Sequence, residues 1–210
     1  MRKHAIYGRR TAQWSLDRLD LHHHIWKLTL NGALHTAPLK DPLEILDIGT
    51  GTGLWAIDVA EEFPAAVVTG TDISPIQPQW VPPNCHFYID DAESDWVYKK
   101  PFDFVHGRAL GGVIGDWKKL HTQAFRSLKP GGWFELQDIG GFMYCDDGTM
   151  GDDSWIVQWT GEMDRGSTIF GKNYNAGAEQ KQHLIDAGFV NVSEQIIKVG
   201  DNQDVPSSCR

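Results

Sequence analysis

The sequence predicts an α/β fold, a mostly parallel twisted sheet with helices on both faces. Three observations predict it. Short apolar runs alternate with segments of helical period between residues 44 and 137, a spacing that calls for βαβ crossovers. The first run, EILDI, leads straight into the glycine-rich turn GTGTG at residues 49–53. The chain has 210 residues, 41% of them hydrophobic and 22% charged, enough to bury one core and too apolar for wholesale disorder.

The elements follow in order. Residues 16–30 place Leu16, Leu19, Ile25 and Leu28 at three- and four-residue steps, which reads as a helix with one apolar face. Pro38 and Pro42 bracket a loop, Glu44 to Ile48 form the first strand, and a helix runs from Leu54 to Phe63, stopped by Pro64. Residues 66–73 (AVVTGTDI) and 85–90 (CHFYID) read as the second and third strands. Between them SPIQPQWVPPN carries four prolines, which forbid a regular helix. That loop is expected at the surface. Residues 102–106 give a fourth strand and 116–128 a helix. Lys129 to Gly132 form a sharp stop, and 133–137 a fifth strand. Beyond Asp138 the pattern loosens. It recovers in a helix at 176–187 and a strand at 189–198, before the polar tail DNQDVPSSCR, expected to be disordered. The expected divisions are a helical extension over 1–40, a ligand-binding domain over 41–198 and a disordered tail over 199–210.

Composition excludes several classes of function. With 19 Lys and Arg against 28 Asp and Glu, the formal charge is -9, and direct nucleic acid binding is not expected. The cysteines, Cys85, Cys145 and Cys209, are odd in number and far apart, which argues against a disulfide scaffold and gives no metal-site spacing. No apolar run approaches the roughly 18 residues of a membrane span, and no signal peptide or prenylation box is visible. The expected setting is cytoplasmic, with the nucleus an alternative for a regulatory role.

In an open α/β sheet, ligands sit beyond the carboxyl ends of the strands, at the first strand–turn–helix. Gly49, Gly51 and Gly53 let the backbone bend tightly there and approach a ligand without Cβ interference. A dinucleotide fingerprint would need a further glycine at position 54, which is Leu, and would not favour Asp47 two residues before the first glycine. A carboxylate there repels pyrophosphate and can help anchor an ammonium group. Asp72 ends the second strand, where an acidic side chain accepts both hydroxyls of a ribose. Taken alone, an Asp ending a strand is more often a helix cap or a solvated carboxylate. The third strand ends in Asp90-Asp91-Ala92-Glu93, whose carboxylates suit an adenine amino group. An amine, a ribose diol and an adenine without phosphate describe S-adenosyl-L-methionine better than a nicotinamide dinucleotide.

ILDIGTGTG, the Asp72 strand end, DDAESDW, FDFVHGR and LKPGGWFELQD resemble the successive motifs of class I S-adenosylmethionine-dependent methyltransferases, a Rossmann-like fold. DRLDLHHHIWKLTL, GTDISPIQPQWVPPN and the GDW before the LKPGG helix are similar to the fungal LaeA-like (UMTA-type) methyltransferases of secondary metabolism. The resemblance covers residues 17–139. It implies a cofactor cradle of Asp47, Gly49, Thr50, Gly51 and Gly53, a ribose contact at Asp72 with Ile73 beside it, an adenine contact at Asp91 and Ala92, and backbone contacts near Gly107 and Arg108. Two departures stand out. Only Thr11 to Leu16 separate the YGR element from DRLDL, and a single candidate strand stands where the fold has an antiparallel sixth and seventh. That pair is expected to be incomplete.

Methyl transfer needs an acceptor nucleophile in line with the sulfonium methyl, and much of the catalysis is positional. A hydroxyl acceptor also profits from a general base, for which the candidates are His106, Arg108 and His23. His106 lies in an apolar strand and is equally readable as a core histidine. His22, His23 and His24 fan out by about 100° each on a helix and cannot converge on one metal ion. Of the nine tryptophans, Trp96, Trp117 and Trp133 are expected in the core. Trp80, Trp155 and Trp159 are candidates for facing a ligand. The expected function is methyl transfer from S-adenosylmethionine to a small-molecule acceptor of fungal secondary metabolism. The alternatives are a LaeA-like regulatory protein acting through a protein partner, for which no basic nuclear-localisation cluster is visible, and an inactive truncated methyltransferase.

Overall fold

The computed structural model describes residues 3–40 and 43–199. Helix α1 spans Lys3–Thr29, followed by β1 Glu44–Ile48, α2 Leu54–Glu62, β2 Val67–Asp72, β3 Cys85–Ile89 and β4 Phe102–Arg108. Then come α3 Trp117–Ser127, β5 Leu128–Gln137, α4 Trp155–Ile169, a 3-10 turn Ala176–Glu179 and α5 Gln180–Asp186. The five strands form one sheet in the order β3-β2-β1-β4-β5. The β1–β2, β1–β4 and β2–β3 pairs are parallel. The chain divides into two compact units. Met1–Arg108 with Ser127–Leu136 form the first, and Ala109–Arg126 with Gln137–Arg210 the second.

In the first unit the sheet centre is largely apolar, with the buried Asp47 and His106 set into it. Ile45, Leu46 and Ile48 of β1, Val68 of β2, and Phe104 and Val105 of β4 are at most 1% exposed, as expected where strands are covered on both faces. Trp55, Ala56, Val59 and Ala60 of α2 pack into the same core. The β1–β4 register sets Asp47 beside His106 and Ile48 beside Gly107. This brings the glycine turn and the end of β4 to the same edge of the sheet.

Several expectations change. The first helix is longer than 16–30. Its half-buried face is Leu16, Leu19, His23, Trp26 and Leu30, whereas Ile25 and Leu28 are exposed at 42% and 65%. The steps between the inward positions alternate three and four, the helical stripe, with a histidine and a tryptophan where the apolar reading missed them. β5 begins at Leu128 instead of 133, since Pro130 is tolerated in an outer strand of the sheet.

In the second unit, Ala109 N–H donates to the Gln137 carbonyl, and Gly111 N–H donates to the Asp138 carboxylate at 2.7 Å. The rings of Phe125 and Phe189 meet edge-on, as α3 and the segment after α5 close on each other. The strand expected at 189–198 is absent. Asn191 adopts φ 55, which breaks an extended run, and Val190 and Ile196 are more than 80% exposed. A helix that the loosened pattern hid, α4, starts after Ser154. The disordered-tail expectation falls on residues 200–210, outside those described.

Candidate functional site

The glycine turn is built from the end of β1 outward. Gly49, Gly51 and Gly53 have φ values of 65, 59 and 81, so all three occupy the left-handed region that L side chains avoid. Thr50 N–H donates to the Thr71 carbonyl at 2.9 Å and ties the turn to the end of β2. Gly53 caps α2, and a Cβ there would collide with the ring of Phe87 from β3. Its missing side chain thus serves helix–sheet packing. A Cβ on Gly51 would meet only Leu19 Cδ1 of α1, at 3.7 Å, leaving open space beside the turn.

Asp47 does not present a free carboxylate. It is 2% exposed, one oxygen accepts from the Thr50 hydroxyl, and the other lies 2.7 Å from His106 Nδ1. A carboxylate only accepts, so the imidazole donates from Nδ1. In this placement Asp47 fixes the turn through Thr50 and is tied to β4 through His106.

Asp72 is half-buried, and its two oxygens are held symmetrically. Oδ2 accepts from Gly51 N–H and Oδ1 from Ser74 N–H, each at 2.9 Å. An ionised carboxylate offers about four lone-pair sites, so one acceptor site on each oxygen remains for a pair of adjacent hydroxyls. Ile73 beside it is 67% exposed and offers an apolar surface. Asp91 is exposed, accepts from Glu93 N–H through Oδ1, and donates its own N–H to Asp90 Oδ1. The Ala92 carbonyl accepts from the Trp96 indole at 3.0 Å. Tyr98 follows. Burial first, then the nearby Asp90 charge, pushes its phenol up to about 12, leaving it a neutral hydrogen-bonding group.

The candidate bases fare differently. His106 is 0% exposed, stacked flat on Trp55 with ring centroids 3.6 Å apart, and bonded to Asp47. Fully buried, with Nδ1 on Asp47 and Nε2 shut off from solvent, His106 takes the core placement of its two readings. Its Nε2 has no hydrogen-bond partner among the described residues. Gly107, next to it, is buried in β4. Arg108 ends that strand. Its guanidinium lies 5.5 Å from the centre of the Trp26 ring and 3.1 Å from His23 Nδ1. Burial lowers Arg108 to about 10, so it stays a cation near neutrality. Because Arg only donates, His23 Nδ1 accepts, and Nε2–H points to Asp58 Oδ2 at 3.1 Å. Lys27 donates to the same oxygen at 2.6 Å. Burial raises Asp58, but Lys27 and His23 outweigh it and hold its carboxyl below the usual range. Burial, with Arg108 adding to it, holds His23 below its ordinary value. His23 is therefore neutral and committed at both nitrogens. Neither it nor Arg108 is poised as a free base. The spacing of Asp58 on α2 against His23 on α1 was not read from the sequence, because nothing local links residues 35 apart.

The tryptophans also sort themselves. Trp117 is buried and Trp96 half-buried, whereas Trp133, expected in the core, is 40% exposed. Trp80 is 93% exposed on the proline-rich loop, and Trp155 and Trp159 of α4 are 84% and 52% exposed. No helix among the described residues is long and apolar enough to cross a membrane.

Residues 20–194 match the family described as a methyltransferase domain. A methyltransferase of Aspergillus terreus, pytC, is 41% identical over 186 residues, covering 87% of this chain and 57% of its own length. A secondary metabolism regulator of Cochliobolus heterostrophus is 35% identical, covering 89% and 63%. The chain thus spans about three fifths of the length of these curated relatives. Among solved structures, a chain of the complex between the Haloferax volcanii Trm112 methyltransferase activator and its partner aligns with TM-score 0.69 at 19% identity, over 94% of this chain and 82% of that one. A phosphoethanolamine N-methyltransferase of Haemonchus contortus bound to S-adenosyl-L-methionine aligns with TM-score 0.58 at 24% identity, over 79% and 37%. These two likenesses are of fold.

Proposed function

The chain belongs to the methyltransferase-domain family, and from that membership we propose that it transfers a methyl group from S-adenosyl-L-methionine to a small-molecule acceptor of fungal secondary metabolism. The observation that carries the cofactor half of this reading is Asp72, held by Gly51 and Ser74 so that each oxygen keeps one acceptor site. A ribose diol fits that arrangement, and the uncluttered face of Gly51 gives it room. When bound, the cofactor supplies an electrophilic methyl on a sulfonium. The chain's own part is binding and orientation. Asp72 takes the ribose, Ile73 and the Asp91–Ala92 segment flank the adenine, and the left-handed backbone of Gly49 to Gly53 lets main chain approach the remainder. Orientation of this kind contributes roughly 7–11 kcal/mol in well-aligned reactions, which removes the need for a protein nucleophile. With His106 sealed and His23 committed, the reading assigns no general base among the three candidates.

Titration calorimetry with S-adenosylmethionine tests the proposal. Saturable binding that Asp72→Ala weakens strongly supports it, and absence of binding by the wild type refutes it. A second reading is favoured by a specific comparison, since a relative at 35% identity is described as a secondary metabolism regulator. In that reading the domain binds cofactor but acts through a protein partner. Incubation with labelled cofactor and a metabolite extract separates the two. Label on a small molecule supports the enzyme, and label on protein alone supports the regulator.

A further inference from the structure

The Asp72 carboxylate is held by two backbone units, and the same two units are gripped from the opposite side by one residue of the proline-rich loop. Gln77 Nε2 donates to the Gly51 carbonyl at 2.7 Å and to the Ser74 carbonyl at 3.0 Å. Both partners are carbonyls, so the amide must present its NH2 group to them, and its two N–H bonds match two acceptors. Gly51 therefore has its N–H on Asp72 and its C=O on Gln77, and so does Ser74. The result is a closed ring of two side chains and two backbone units, with Gly51 in the left-handed region at φ 59. Gln77 thus supplies the bonds on the carbonyl side of both peptide units whose N–H groups hold the carboxylate.

We propose that Gln77 is a positioning residue for the ribose of the cofactor, acting through Gly51 and Ser74 on the orientation of Asp72. The inference rests on the cofactor reading above. It implies that Gln77 controls discrimination between ribose and deoxyribose ligands while making no ligand contact itself.

The test measures binding of S-adenosylhomocysteine and of its 2′-deoxyribose analogue to wild type, Gln77→Met and Gln77→Lys. Methionine keeps the length and loses both donors, whereas lysine keeps donors that reach two carbonyls. Gln77→Met is expected to bind the ribose ligand roughly tenfold more weakly, the scale of lost hydrogen bonds, and the deoxyribose ligand, which keeps one hydroxyl for Asp72, to be weakened by a smaller factor. Gln77→Lys is expected to keep the wild-type discrimination. Equal weakening for both ligands, or undiminished discrimination in Gln77→Met, overturns the proposal. Should the methionine variant not fold, Gln77→Glu gives the same readout, because a carboxylate faces the two carbonyls without a proton to donate. Failure of the wild type to bind either ligand removes the cofactor assignment and the Gln77 role together. Wild-type binding with unaltered variants removes the Gln77 role alone.

Discussion

At the scale of single residues, motif letters and side-chain tasks part company at the glycine turn. Gly53 looked like room for a ligand and is instead occupied space, because the Phe87 ring fills the place of its Cβ. Gly53→Ala combines that collision with φ 81, and is expected to lower stability by about 1–3 kcal/mol in denaturant unfolding. Phe87→Leu should restore part of the loss, and a neutral Gly53→Ala would show that the ring is not confined there. His121 supplies a pH prediction. Burial first, then neighbouring His183, depresses it to about 4 from 6.5. The unfolded chain binds the proton more tightly, so this contribution is complete above pH 6.5 and falls as pH drops towards about 4. Thermal melts should show the decline over that window, and His121→Gln should flatten it.

At the scale of elements, the proline-rich loop is anchored at both ends. Gln77 grips the glycine turn, and the two N–H bonds of the Asn84 amide are shared among the carbonyls of Ala60, Phe63 and Ala66 around the α2–β2 turn, at 3.0, 3.2 and 3.1 Å. Asn84→Ala removes the side-chain donors from these carbonyls, of which Phe63 keeps the Ala66 N–H, and should cost about 1–3 kcal/mol of stability. An unchanged melting temperature would mean that water replaces the amide fully. The alternation of strands and helices was legible from the sequence because buried parallel strands are continuous apolar runs, as EILDI and AVVTG are. The inward face of α1 was not, since His23 and Trp26 occupy positions that an apolar count passes over. The four-residue step from Trp155 to Trp159 fitted one helix but, in a loosely patterned stretch, did not set the bounds of α4, and the segment at 189–198 misled because β-prone residues form a strand only where a partner strand exists. Of the candidate site, Asp72 and the glycines were legible from motif spacing. The Asp47–His106 and His23–Asp58 pairs were not, because each joins residues brought together only by the fold.

At the scale of the whole molecule, the charge of -9 is partly structural. Asp47 and Asp58 are partnered inside the first unit, and Asp72, less buried than Asp47, keeps acceptor capacity at the glycine turn. If the site binds cofactor, ligand present at about 100 times its Kd should stabilise the protein by about 2.7 kcal/mol, seen as a rise in melting temperature. Asp72→Asn should shrink that rise, and because the amide keeps one acceptor oxygen where the carboxylate held two backbone N–H groups, the unliganded protein should also lose about 1–3 kcal/mol of stability. The central claim, that the Asp72 carboxylate is a ribose acceptor at the mouth of a nucleoside site, is tested most directly by titrating wild type and Asp72→Asn with S-adenosylmethionine in a calorimeter. Saturable one-site binding to the wild type is expected, with an affinity at least roughly tenfold weaker in the variant, the scale of a lost charge-assisted hydrogen bond. Equal affinities in the two proteins would contradict it.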